Sequence, residues 1–459
     1  MHVMSIEELR FKHPRLVYRS YDVLTDERGV TITYNFLLEP DIWFHPTITI
    51  PHKEVFDSKL FENFIFHMGL LEAMSYWKLA CPRELVIEAG SLSSTGKRFI
   101  EDLFLHGLGE FYYANGIDFT TENFVTICST SEKEKLAIDI ATKPIDLVLV
   151  GGGKDSALLL SLLAKSGRMI KPLVVNPSTA ALEIIRSLGL SDPVVVTRTL
   201  DPKLLELNKN GYLNGHTPFS ALLSFVGVTV AALFGYENVI VANEQSANEG
   251  NVMYKGIEIN HQYSKSLRYE NLFREYLHKA LTPSISYFSA MRPFHDIQMS
   301  KMFSRVPELL PIFRSCNKLR AANMWCGNCA KCAFTYLTLF PFVTYEKMMQ
   351  IFGDDYFKRP AILQFIRELV GVIPIKPFEC VGTREEAKLA LLLSLKSYKQ
   401  MGREIPEGLL RIKTEAGLQD GDVMQLSLHS FDHISDMHNV PDEHLILVMD
   451  AWTKSQEKQ

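Results

Sequence analysis

The chain has 459 residues, 47% of them hydrophobic and 22% charged, with a formal net charge of −5 at pH 7. That length accommodates two or three domains with an ample core, and the acidic balance argues against a nucleic-acid partner held by a broad basic surface. Seven cysteines, four of them crowded between residues 316 and 332, do not make the pattern of a secreted disulfide framework.

Residues 1–138 read as a separate α+β unit. Apolar or alternating runs at 31–38 and 42–50 flank Glu39-Pro40-Asp41 and give a hairpin signal. Residues 60–79 carry apolar positions at helical spacing, and 85–89 and 124–128 read as further strands. His45-Pro46 and Tyr112 to Gly116 read as turn and packing residues, and the charged segment 131–135 as a solvated helix face at the boundary. The N-terminus lacks a basic-then-apolar signal pattern. The longest apolar stretch, 221–234, is too short for a bilayer span and reads as a buried helix. A cytoplasmic protein without a membrane partner is expected.

From 139 to 345 strands at 145–150, 172–176, 193–198 and 238–242 alternate with helical patterns. This alternation predicts an α/β domain, a parallel sheet with helices on both faces. Residues 346–459 read as a mainly helical third unit, with patterns at 361–369 and 384–398 and a solvated face at 384–388.

The strand at 145–150 runs into Gly151-Gly-Gly-Lys-Asp-Ser156 and then into a helical pattern. Glycines let the backbone turn with φ > 0 and leave no side chain between the amides and a ligand. The first amides of the helix lack intrahelical partners and form an anion site. Lys154 adds a mobile positive charge, Ser156 a hydroxyl donor, and Asp155 a carboxylate suited to capping the helix or holding Mg²⁺. A P-loop is disfavoured because Asp155 follows the lysine and Val148 stands where that motif has glycine. A dinucleotide loop is disfavoured because the second strand ends in Asn176 rather than an acid. Residues Gly151 to Ser156 resemble the PP-loop of the ATP pyrophosphatase superfamily, departing from it at Gly151, where that family has serine.

In such a fold ligands bind at the C-terminal ends of the strands. Asn176, after the second strand, is a candidate for the adenine and ribose side. After the fourth comes Asn243-Glu-Gln-Ser-Ala-Asn-Glu-Gly-Asn251, then Asn260-His-Gln-Tyr-Ser-Lys-Ser266. These runs supply Asn243, Glu244, Asn248, Glu249 and Asn251 as nucleotide or Mg²⁺ ligands, and His261 and Lys265 as cationic or proton-transferring groups. Cys316, Cys326, Cys329 and Cys332 have the spacing of a closed four-thiolate site, with zinc expected and an iron-sulfur cluster as the rival. Cys81, Cys128 and Cys380 read as buried single thiols, Cys380 being also a minor catalytic candidate beside Glu379.

A PP-loop followed by four cysteines is similar to the enzymes that make 7-cyano-7-deazaguanine, but over the middle domain only and on much shorter chains. The runs at 243–251 and 260–266, with Phe313-Arg-Ser-Cys-Asn317 and Trp325-Cys-Gly-Asn-Cys-Ala-Lys-Cys332, resemble the UDP-N-acetylmuramoyl-L-alanyl-L-glutamate epimerase (MurL) family across nearly the whole chain. The resemblance implies a bacterial cytoplasmic enzyme of peptidoglycan precursor synthesis with a small-molecule substrate. It would invert the terminal L-Glu of UDP-MurNAc-L-Ala-L-Glu while Mg-ATP goes to AMP and diphosphate. Lys154 would then bear charge developing on phosphate, and His261 and Lys265 would be the base and acid candidates, with His216 and His295 in reserve. The alternatives are a PP-loop ligase that amidates or thiolates through an adenylate, and a nucleotide-binding regulator without turnover.

Overall fold

A computed structural model gives the fold; the structure describes residues 4–52, 57–129 and 137–457, so the charged segment at 131–135 lies outside the described residues. The strands are β1 (Arg15–Asp26), β2 (Gly29–Leu38), β3 (Ile42–Phe44), β4 (Thr47–Ile50), β5 (Glu84–Ile87), β6 (Thr126–Ser129), β7 (Lys143–Leu149), β8 (Ile170–Val175), β9 (Val194–Thr199), β10 (Tyr236–Val241), β11 (Val252–Tyr254), β12 (Ile257–Ile259) and β13 (Ser286–Ser289). Eleven of them make one sheet in the order β13-β10-β7-β8-β9-β4-β2-β1-β5-β6, with β3 also paired to β2; β11 and β12 form a separate hairpin. The run from β13 to β9 is parallel, β9 meets β4 antiparallel, and β1, β5 and β6 are parallel again. The fold is mixed α/β, with a large, mainly parallel sheet, flanking helices and a helical C-terminal region.

Side chains on a strand alternate between faces, and here the alternation feeds two cores. Leu147, Leu173, Val239 and Tyr287 pack into one core, with the helices Ser58–Trp77 and Phe219–Phe234. Val148, Val174, Ile240 and Phe288 pack into the other, with Lys154–Lys165, Asp296–Ser304 and the C-terminal helices. Strands buried on both faces account for the unbroken apolar runs in the sequence. The helices after β7 and β8 lie on the second face, and those before and after β10 on the first. The winding therefore reverses at β7, and a crevice opens between β7 and β10.

β1 carries only a short apolar run at 16–18, and its second half mixes exposed and half-buried positions. It nevertheless joins the β2–β3–β4 meander to β5 and β6. The expected hairpin is present, its second arm divided at His45-Pro46 into β3 and β4. Tyr112 is buried and donates its hydroxyl hydrogen to the Phe104 carbonyl at 3.0 Å, a packing residue as expected. The segment 384–388 departs from a solvated face. Glu386 is fully buried, and its carboxylate accepts from the amides of Ile297 at 3.0 Å and Thr383 at 2.7 Å. A carboxylate meeting helix-start amides explains its place inside. The C-terminal helix Asp442–Gln456 is pinned to the sheet through His444, which bonds buried Asp146 of β7 at 3.0 Å. Among the described residues no helix is long and apolar enough to cross a membrane.

Candidate active site

A cavity of about 290 Å³ lies at the crevice, walled by Val150, Gly151, Gly153, Asp155 and Ser156 after β7, Asn243 and Glu244 after β10, and Lys265, Lys331 and Cys380 from later segments. Gly152 turns the chain with φ +91°, and a Cβ there would stand 2.8 Å from the Ala181 amide nitrogen and 2.8 Å from Ser178 Oγ. A Cβ on Gly151 would meet nothing within 4 Å. Only Gly152 is therefore demanded by backbone shape; the departure at Gly151 is sterically free. Gly153 caps the helix Lys154–Lys165, whose first amide donates to Ser315 Oγ at 3.2 Å.

Lys154 is not a mobile surface cation. It is 2% exposed and lies 2.6 Å from Asp155 Oδ1 and 3.1 Å from Asp296 Oδ1. The cavity instead takes its positive charge from Lys265, Lys331, Arg314 and Arg320. Burial opposes ionisation of Asp155, but Lys154 and Lys331 hold it below the usual carboxylate range. Glu244 is pushed up to about 7, by burial first and then by Asp155. Two carboxylates of opposite tendency thus face the cavity beside the loop.

Lys265 Nζ donates to Cys380 Sγ at 3.2 Å. His261 Nε2 lies 3.8 Å from the same sulfur, and His261 Nδ1 is hydrogen-bonded to Glu110. His216 stands behind, its Nδ1 3.4 Å from Glu110. Burial alone would raise the Cys380 thiol, yet Lys265 and His261 bring it down to about 5. Burial would lower His261, but its bonds to Cys380 and Glu110 lift it to about 9. Burial and the charge on His261 take His216 down to about 3. Of the expected pair, then, Lys265 lines the cavity and His261 backs Cys380.

Other candidates serve the frame. Asn251 accepts from the His261 amide at 2.8 Å and donates to the Pro377 carbonyl at 2.7 Å. Glu249 pairs with Lys376 at 3.0 Å, and Asn248 accepts from the Leu267 amide at 2.8 Å. Asn176 exchanges two bonds with the backbone of Arg198, joining β8 to β9. His295 lies 3.6 Å from Glu386. Asp296, Glu110 and Lys331 carry no local sequence signal; the topology brings them in.

The four cysteines 316, 326, 329 and 332 place their sulfurs within 4.8 Å of one another, with 3.7 Å between Cys326 and Cys332. Zn–S bonds of about 2.3 Å in a tetrahedron put sulfurs about 3.8 Å apart. Backbone amides of Leu319, Asn328 and Cys332 donate to Cys316, Cys326 and Cys329 at 3.3 to 3.4 Å, as suits thiolates. This donor set fits one metal ion. Among the described residues Glu110, His216 and His261 also place ligand atoms within 4.8 Å of one another.

A glycine-turned helix start at the sheet's switch point, with carboxylates, lysines and a thiol around one cavity, defines an α/β protein with a polar crevice at the ends of its parallel strands. Residues 8–290 match the profile described as the MurL N-terminal domain, and 312–419 that of the MurL C-terminal domain. The chain belongs to the MurL family. It is 35% identical over 346 residues to the UDP-N-acetyl-alpha-D-muramoyl-L-alanyl-L-glutamate epimerase of a Micromonospora species, covering 74% of this chain and 76% of that protein. The proteins of that name from Salinispora tropica and Xanthomonas oryzae are 35% identical (71% of this chain, 72% of theirs) and 31% identical (72% and 75%).

Proposed function

We propose that this protein is an ATP-dependent epimerase that inverts the terminal L-glutamate of UDP-MurNAc-L-Ala-L-Glu to D-glutamate, releasing AMP and diphosphate, in the cytoplasm. The relatives' shared name supports the substrate and the epimerisation. The observation that carries the ATP requirement is the loop Gly151–Ser156 opening into the same cavity as Lys265 and Cys380.

The chemistry gives ATP a purpose. The glutamate nitrogen is already an amide and cannot form a Schiff base that would acidify Cα–H. Its α-carboxylate is anionic, so a Cα carbanion would add a second charge to the same group. Adenylation removes the first charge and lets the carbanion delocalise into an acyl phosphate carbonyl. The loop amides, Arg314 and Arg320 would take the polyphosphate charge. Asp155 and Glu244 are the cavity carboxylates that would hold Mg²⁺. Lys154, fixed between Asp155 and Asp296, orients Asp155. Cys316, Cys326, Cys329 and Cys332 would hold Zn²⁺ in a structural role, stapling the segment that carries Arg314 and Arg320.

Incubation of metal-replete protein with the substrate, ATP and Mg²⁺ in D₂O tests this. D-Glu carrying one Cα deuterium, formed together with AMP, is the expected outcome. AMP without deuterium would move the reaction to a ligase using ammonia or a sulfur donor, and deuterated D-Glu formed equally well without ATP would remove adenylation.

A further inference from the structure

Resting on the epimerase reading above, we propose that Cys380 is a catalytic residue, its thiolate exchanging the Cα proton of the activated glutamate, with Lys265 and the His261–Glu110 pair holding that thiolate in place. Cys380 is half-buried and opens to the cavity that the three-glycine loop also walls. It stands apart from the four-cysteine cluster, and its thiol is free. Lys265 donates to its sulfur at 3.2 Å, and His261 Nε2 lies 3.8 Å from it.

The segment around Cys380 is held more firmly than an ordinary loop. Asn251 binds the Pro377 carbonyl at 2.7 Å, Gln262 Nε2 donates to the Val381 carbonyl at 2.9 Å, and Lys376 pairs with Glu249 at 3.0 Å. Glu379 accepts from the Lys331 amide at 2.9 Å. Both polar runs, 243–251 and 260–266, thus converge on the position of one sulfur. His261 is absent from the cavity wall and touches Cys380 through Nε2. It is a positioning residue.

In the step, Sγ takes the Cα proton and the C–H electron pair moves into the activated carbonyl as an enolate. A water molecule returns a proton to the opposite face, and the hydroxide left behind takes the Cys380 proton through solvent, which restores the thiolate. The reverse direction uses the same groups in reverse order.

The test compares Cys380→Ala, Cys380→Ser and the native enzyme in two assays, ATP–diphosphate exchange driven by substrate and deuterium entry at Cα. Both variants should keep exchange within a few-fold and lose at least about 100-fold in epimerisation, the scale of a positioned acid–base group. Serine preserves size but not acidity, so a packing role would leave Cys380→Ser active. Epimerisation by Cys380→Ser within tenfold of native, or loss of exchange in both variants, overturns the proposal. Failure of the reading on which it rests shows separately, as a native enzyme that neither exchanges nor deuterates. Iodoacetamide labelling of the native protein, located by peptide mass, tests the thiolate without turnover. Facing Lys265, His261 and Lys331, with Glu110 behind and Glu379 beside, Cys380 should label with an inflection near pH 5, whereas one near the ordinary thiol value of about 8.5 would count against it.

Discussion

At the scale of single residues, what the sequence discloses depends on whether a group's partners are neighbours in the chain. Gly151 to Ser156 is contiguous, so strand, turn and helix start were all readable, and the four cysteines were readable through their spacing. Cys380, His261 and Glu110 come from three distant segments, and no spacing relates them. Lys154 shows the limit within a motif, because its inward turn depends on Asp296, 142 positions away (296 − 154). The loop also distinguishes two glycines that look alike on paper. Gly152→Ala places a Cβ against backbone at φ +91° and should weaken ATP binding at least about tenfold, the cost of one strained residue. Gly151→Ser should leave affinity within a few-fold. Calorimetric titration of both variants with ATP decides, and equal losses would mean that the loop is not read by shape.

At the scale of elements, β1 and the burial of Glu386 in the helix Arg384–Gln400, whose start the sequence pattern did show, were hidden for one reason: each mixes charged residues with buried ones. A hydropathy pattern averages over that mixture and returns a surface. Glu386 in fact joins two helices, accepting from the Ile297 amide of one and facing His295 at 3.6 Å. Burial opposes its ionisation, but His295 and nearby donors bring its carboxyl from 4.5 to about 2, and Glu386 in turn lifts His295 above its ordinary 6.5 against the effect of burial. A depressed acid contributes stability above its unfolded value, lost as pH falls through the folded one. A raised histidine contributes below 6.5, lost as pH rises through its folded value. The pair is therefore worth most between pH 5 and 6, on the order of 3–5 kcal/mol for a buried pair deprived of one charge. Thermal melts of Glu386→Gln should show the largest deficit there and a smaller one near pH 3. A deficit independent of pH would assign the loss to packing alone.

At the scale of the whole molecule, the cavity is closed only because both cores meet the same sheet. The loop after β7 belongs to the middle of the chain, and Cys380 arrives with the C-terminal helices. Between them lies the cysteine-bearing segment. Its Arg314 amide donates to the Gly152 carbonyl at 2.9 Å, and its Ser315 hydroxyl accepts from the first helix amide at 3.2 Å. If four thiolates hold one Zn²⁺, that ion fixes the outer wall of the phosphate site without touching substrate, since metal binding and local folding are one equilibrium. Removing it with a chelator should release about one metal per chain and weaken ATP binding by roughly tenfold or more. The core shared by β1 to β6 and the helix Ser58–Trp77 lies on the opposite face of the sheet and should keep its circular dichroism. Elemental analysis, nucleotide titration and far-UV spectra on the same sample separate the outcomes. Unchanged affinity in fully metal-free protein would show that the wall stands on its own hydrogen bonds, and iron with labile sulfide in the native sample would replace zinc with a cluster.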